Sequence, residues 1–562
     1  MRLNLVLPAL VGLLVLPSLT LGVAIGPTSP MTISNVRIAP DGFLRPYEPF
    51  YCFLALFDDP WPTRAAVVNG IHPGPLIVAQ KGDLFDVTVT NKLTDPSITL
   101  DTSIHWHGIF QRGTTWADGP EGVSQCPIPP KGHSFRYKFS THGQAGSFWY
   151  HSHFGNQYCD GVRGPIVVYD KNDPHRGLYN VDNEDTVITL TDWFREPMVT
   201  PGTPPASTLI NGKGRFIKGP LVDLAVVNVR KGARYRFRLI SLSCDANFIF
   251  SIDKHKLIVI EADGESTVPT KSVDAVQIFA GQRYSLILHA NQEISNYWIR
   301  ANPNLDPLKD VFKYGVNSAI LRYAGAKAVE PPFSKPPTLE LLRESDLHPL
   351  INPRAPGLPV INGSDFDKTF EVDFQGGRFL MNNESWKAPS APILLQILSG
   401  KNASELMPQG SIVHLKRNQV VQLKITSISD VATPLIGIGQ RLPFDFQSTN
   451  CTIQHPFHLH GHAFSVIKSA DSDTFNFKDP VRRDVVSIGG LNQFAVIRFV
   501  TDNPGPWIFH CHIEPHLSVG LAVVFVEDFD NILRSNPIPQ SWKDLCEVYE
   551  KSKALPAVPP QA

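Results

Sequence analysis

"HCHIEPHLSVGL" (residues 510–521) sets a cysteine between two histidines and places a third histidine four residues after the second. In a β-strand successive side chains leave opposite faces. A strand running to His512 therefore turns His510 and His512 to one side and Cys511 to the other. One short stretch then serves two sites. A turn just beyond brings His516 back beside Cys511.

The rest of the chain agrees with a β reading. "LFDVTVTNKL" (84–93), "HSFRYKFS" (133–140), "DTVITLTDW" (185–193), "ARYRFRLISL" (233–242) and "VVQLKITSI" (420–428) alternate or run apolar, and turn residues separate such runs. Long helical periodicity is scarce, and 49 prolines suit a loop-rich all-β protein. A chain of 562 residues, 42% hydrophobic, is too long for one core, and length suggests about three or four domains. Each sandwich-sized unit needs two sheets packed face to face. "VVYDKNDPHRG" (167–177) and the proline-rich "LRYAGAKAVEPPFSKPPT" (321–338) mark divisions near 172 and 335. This gives units over 24–172, 173–335 and 336–562. The tail after about 535 reads as proline-rich and mobile, apart from Cys546.

Charge is balanced, with 51 basic and 52 acidic residues and a formal net of -1. No basic block points to nucleic acid. Residues 1–23 read as a secretory signal: Arg2, an apolar run broken by Pro8 and Pro17, and small residues at Gly22 and Ala24. No later stretch is apolar and long enough to span a bilayer. Acceptor sequons at Asn362, Asn383, Asn402 and Asn450 agree with a secreted, extracellular glycoprotein. The cysteines are Cys52, Cys126, Cys159, Cys244, Cys451, Cys511 and Cys546; an odd count leaves at least one thiol outside disulfides.

Ten of the 19 histidines fall in four groups: His105 and His107 in "HWHG", His151 and His153 in "WYHSH", His455, His458 and His460 in "HPFHLHGH", and His510, His512 and His516. His462 trails the third group. Imidazole suits copper, zinc and iron, and two imidazoles with a thiolate suit a trigonal blue-copper centre. Calcium or magnesium would call for oxygen ligands. Ten histidines and a cysteine exceed the four ligands of one structural zinc, so several ions are implied.

"HWHGIFQRGTTWADGPEGVSQCPI", "FWYHSH", "QYCDGVRGP", "STLINGKGR", "HPFHLHGHAF" and "GPWIFHCHIEPHL" resemble segments of fungal laccases of the multicopper oxidase family, over nearly the whole mature chain. The resemblance implies three sequential cupredoxin-like Greek-key domains, a blue type 1 copper, and a type 2 and two type 3 coppers in a cluster between the first and third domains. By it, His455, Cys511 and His516 hold the blue copper, and His105 and His458 the type 2 ion. His107, His151 and His512 hold one type 3 ion; His153, His460 and His510 hold the other. Leu521 takes the axial position as a non-ligand, which raises the potential above that of a methionine version. Asp245 is then the carboxylate of a phenol pocket, and Asp118 and Glu514 serve proton delivery at the cluster. Glu514 stands where many relatives carry aspartate.

The same resemblance pairs Cys126 with Cys546 and Cys159 with Cys244. Cys52 and Cys451 are left over, with a third bridge between them open. "LRPYEPFYCFLALFDDPWPT" (44–63) departs from the family, in which this connection is shorter. It reads either as an insertion or as an erroneous splice junction. The expected activity is one-electron oxidation of small phenols coupled to reduction of dioxygen to water, by a monomer, with no nucleic-acid or membrane partner. A ferroxidase and a non-catalytic secreted copper-binding protein are the competing readings.

Overall fold

The computed structural model describes residues 23–44, 65–198, 204–305, 307–429 and 454–554. The signal-like segment through residue 22, nearly all of the departing stretch with Cys52, and Asn450 and Cys451 lie outside the described residues. The described chain is dominated by strands arranged in six sheets. Strands between Met31 and Tyr169 make two four-stranded sheets, those between Val187 and Tyr323 a seven- and a five-stranded sheet, and those between Phe366 and Glu527 a six- and a five-stranded sheet.

The three pairs of sheets repeat one topology. In the first pair Met31–Val36 runs parallel to Leu84–Asn91, and Ile77–Gln80 parallel to Arg163–Tyr169. The second repeats this with Val187–Trp193 on Arg234–Ser241 and Val226–Val229 on Ser318–Tyr323. In the third, Phe366–Gln375 lies on Val420–Ser427 and Ile412–Leu415 on Ala522–Glu527. Other neighbours in these sheets are largely antiparallel, so each unit closes by strands that cross between its two sheets, as in Greek-key sandwiches.

Burial separates two kinds of strand. Ser134–Ser140 alternates exposed and buried residues, the mark of one solvent-facing side. Gly146–Ser152 and Gly505–Cys511 are buried at every position, because each lies between its own core and a neighbouring unit. One core joins Phe85, Trp106, Tyr137 and Tyr150 of the first unit to Ile508, Val524 and Val526 of the last. Another runs from Phe248 and Phe250 of the middle unit to Phe457, Phe509 and Cys511 of the last.

The tail corrects the sequence reading. Gln540–Ala554 is a 15-residue helix, with Trp542, Leu545 and Tyr549 buried along one stripe. These positions follow helical spacing, whereas the prolines that suggested mobility flank the helix. Trp542 packs into the first unit's core and its Nε1–H donates to the Ser124 carbonyl (2.9 Å). The Cys126–Cys546 disulfide ties the helix to that unit, and Cys159–Cys244 joins the first unit to the second. Replacing Trp542 by alanine should lower stability by about 3–5 kcal/mol, the usual cost of truncating a buried tryptophan. Chemical denaturation of the two proteins measures it.

Candidate metal centre

The four histidine groups sit on strands of the first and last units that face each other. In the first unit Ile104–His107 pairs with Gly146–Ser152 so that His105 lies opposite His151. Alternation sends Trp106 into the core, with His105 and His107 on the other side. In the last unit Pro456–Leu459 pairs with Gly505–Cys511, placing His458 opposite His510 and Phe457 opposite Cys511. Ile508 joins the first unit's core, while Phe509 and Cys511 join the other. The strand ends at Cys511, one residue earlier than the sequence suggests. The His512 N–H donates to the Pro456 carbonyl (2.7 Å), and the His510 and His512 rings stay 5.6 Å apart.

Eight histidines gather between the units, all at most 6% exposed. Three sets have ligand atoms within 4.8 Å of one another: His153, His460 and His510; His105, His107 and His151; and His105, His458 and His460. His512 joins through its Nε2, 3.2 Å from His107 Nδ1. His462 turns elsewhere, onto the Glu527 carboxylate (2.8 Å).

Hydrogen bonds fix which nitrogen each ring offers. The Nδ1–H groups of His105, His151, His458 and His510 donate to the carbonyls of Asp118, Ser152, Asp484 and Cys511 at 2.7–2.9 Å. His460 Nδ1–H donates to the Asp118 carboxylate (2.8 Å). His107 is reversed: its Nε2–H points at Asp484 Oδ1 (3.3 Å), leaving Nδ1 bare. The bare Nε2 atoms of His105, His151 and His458 find no protein partner among the described residues. Those of His460 and His510 face each other at 3.2 Å. Two lone pairs so placed repel unless a cation lies between them. The donor set therefore fits metal ions, with carbonyl and carboxylate groups orienting the rings.

Burial, reinforced by neighbouring histidines, holds His107, His151, His153, His458, His460 and His512 well below the usual imidazole range. These rings stay neutral, the form that binds a metal.

On the opposite face of the same strand, Cys511 Sγ lies 3.5 Å from His516 Nδ1 and 3.7 Å from His455 Nδ1, and the two nitrogens are 3.2 Å apart. Cys511 is the free cysteine among the described residues. His516 is returned by the short helix Glu514–Ser518. Leu521 is fully buried beside this group, and its carbonyl accepts the Cys511 N–H (3.1 Å). A hydrocarbon side chain offers no donor atom there.

The remaining predicted residues divide. Asp118 is fully buried and holds two cluster histidines, one from each unit. Glu514 is buried and its N–H donates to the Cys244 carbonyl (3.0 Å); burial, with Glu121 nearby, raises its carboxyl well above the usual range. Asp245 keeps a partial opening to solvent, yet crowding by protein, with Asp192 second, pushes its carboxyl up to about 7.

Residues from the middle unit escaped the sequence reading because no metal-ligand type marks them. Arg283 clamps Asp484 with Nη1 at 2.6 Å and Nη2 at 2.8 Å, and its Nε–H donates to the Ser147 carbonyl (3.0 Å). Gly281 has φ +82° and closes on the cluster: a Cβ there would sit 2.8 Å from His512 Cδ2 and 3.0 Å from His107 Cε1. The one signal in the sequence was a glycine and an arginine at the head of a strand, "AGQRYSL".

Three family models, each for multicopper oxidase, match residues 56–173, 184–326 and 386–531. The chain is 49% identical to a laccase of Trametes hirsuta over 533 residues, covering 94% of this chain and 95% of that protein. It is 50% identical to laccase-2 of Pleurotus ostreatus over 532 residues, covering 94% and 93%. Among solved structures, the laccase from Botrytis aclada superposes with a TM-score of 0.75 at 30% identity, covering 96% of this chain and 94% of that one. Fet3p, a multicopper oxidase that functions in iron import, gives 0.73 at 24% identity over 94% and 95%, a likeness of fold. Copper is thus the metal that these relatives imply, and the chain belongs to the multicopper oxidases, within them to the fungal laccases.

Proposed function

We propose that this laccase oxidises small phenols one electron at a time beside Cys511 and reduces dioxygen to water at the histidine cluster, with four copper ions per chain. Copper supplies the one-electron step at the first site and the four-electron store at the second. One observation carries this reading: His510, Cys511 and His512 are consecutive, yet Cys511 faces one group and both histidines the other. A few covalent bonds therefore join the place where electrons enter to the place where they are used.

Of the ligand sets implied by the resemblance, the type 1 set and one type 3 set coincide with groups whose ligand atoms lie within 4.8 Å of one another, while His105 lies near members of both the type 2 and type 3 sets. His455, Cys511 and His516 serve type 1; His105 and His458 type 2; His107, His151 and His512, with His153, His460 and His510, the type 3 pair. His516 is 7% exposed against 1% for His455 and 0% for Cys511, which favours substrate approach over His516. Asp245 accepts the phenol proton, Asp118 orients His105 and His460, and Glu514 with Asp118 serves protons bound for dioxygen. Leu521, lacking a donor atom, keeps the potential above that of a methionine version. The chain is read as three cupredoxin-like units divided near 172 and 335, secreted and monomeric. Asn362, Asn383 and Asn402 are exposed, as glycosylation requires. No helix among the described residues is long and apolar enough to cross a membrane.

Oxygen uptake by copper-loaded protein, with a dimethoxyphenol or Fe(II) supplied separately, tests the assignment. Fast phenol oxidation at four electrons per dioxygen is expected; preference for iron would favour a ferroxidase, and no uptake with either donor a copper-binding protein without turnover. Asp245→Asn should cut phenol kcat/KM by about 10–100-fold and leave ferrocyanide, a donor without a proton, within about twofold. The pH dependence follows from the raised carboxyl: Asp245 accepts a proton only when ionised, so wild-type phenol oxidation falls on the acid side. The asparagine variant should lose that limb. A limb unchanged by the substitution would remove Asp245 from this role.

A further inference from the structure

The strand Val187–Trp193 ends beside the loop that carries Asp245, and its Asp192 is 1% exposed. The Asp192 carboxylate accepts three successive backbone N–H groups: Cys244 at 2.9 and 3.0 Å to its two oxygens, Asp245 at 2.7 Å and Ala246 at 3.1 Å. Arg163 Nη1 donates to it as well (2.9 Å) and to the Leu242 carbonyl (2.6 Å). Every group that meets this carboxylate is a donor. An amide in its place would turn an N–H toward N–H groups.

The contacts extend beyond the loop at both ends. Arg163 lies opposite His151 in the strand register. At the other end the Cys244 carbonyl accepts the Glu514 N–H (3.0 Å), at the head of the helix that carries His516. A run of contacts thus passes from the strand of a cluster histidine, through the backbone of Asp245, to the helix of the ligand over which substrate approaches. Asp192 is its centre.

We infer that Asp192 is a positioning residue for phenol oxidation, fixing the Asp245 carboxyl relative to His516 so that one bound phenol meets both. The inference rests on the reading of Asp245 as the proton acceptor. In that step the phenol O–H bond breaks, its proton passes to the Asp245 carboxylate, and one electron leaves toward the Cys511 site. A phenoxyl radical remains, and dioxygen is the final oxidant. The charge of Asp192 also opposes a second negative charge at Asp245, keeping the latter a competent base.

The test compares copper-loaded wild type, Asp192→Asn, Asp192→Glu and Asp245→Asn with 2,6-dimethoxyphenol and with ferrocyanide. Asp192→Asn should lower phenol kcat/KM by about 20-fold or more, chiefly through KM, while ferrocyanide turnover stays within about twofold. The blue absorption should be unchanged. Equal losses with both donors, or no loss specific to phenol, would overturn the inference. Asp192→Glu keeps a charge for Arg163 should the asparagine variant not fold; a smaller loss confined to phenol is expected, and a parallel loss with both donors counts against the role. Asp245→Asn separates the two readings. If it spares phenol oxidation, the base assignment fails and this inference with it; if it alone impairs phenol, only the role of Asp192 fails.

Discussion

Cys511→Ser should abolish the blue absorption and lower phenol turnover by at least about 10³-fold, with most histidine-bound copper retained. The thiolate is the ligand that makes a trigonal blue site, and a hydroxyl is a far poorer copper ligand. Cys511 is also the residue whose neighbours on both sides reach the other group, so the electron route and the ligand are lost together. A loss of 10³-fold corresponds to about 4 kcal/mol in the barrier. The histidine cluster uses the opposite face of the strand and should survive. Copper analysis with electron paramagnetic resonance separates the outcomes. Retained blue colour, or copper lost equally from both groups, would contradict the two-faced strand.

Gly281→Val should have the complementary effect: blue absorption kept, and oxygen reduction lowered by about 100-fold or more. The middle unit offers no histidine to the cluster, yet its Gly281 lies against two cluster rings. A Cβ at 2.8 Å from His512 and 3.0 Å from His107 is closer than carbon atoms pack. The buried His512 and His107 rings are held by Tyr158 and Asp484, and the His512 backbone by the Pro456 carbonyl, so they cannot swing aside cheaply. The positive φ of +82° adds strain for a β-branched residue. Reduction of the blue absorption by phenol without air, followed by reoxidation on admitting air, isolates the second step. Reoxidation at the wild-type rate would show that the rings yield.

Where the sequence was legible, periodicity was the reason. Alternation in "HCH" and "HWH" put paired histidines on one face, and the register of the strands then brings four such pairs together. The all-β class followed from alternating runs. The orienting groups were not legible. Asp118 could be named only by resemblance, and Asp484 and Arg283 are ordinary charged residues until the fold sets them beside the rings. The orientation of His107, reversed relative to the other cluster rings, depends on Asp484, 377 positions away. The C-terminal helix is hard to read in the sequence because prolines on either side of it obscure the helical spacing of Trp542, Leu545 and Tyr549.

Half of the cluster is supplied by His105, His107, His151 and His153, and half by His458, His460, His510 and His512. During synthesis the first four emerge some three hundred residues before the first of the others. N-terminal units fold first as the chain leaves the ribosome, so a nascent chain presents half a cradle throughout most of its elongation. The complete donor set arises only when the last strands dock. The eight histidines are therefore together only in the finished polypeptide, and a product truncated before His458 lacks half of them.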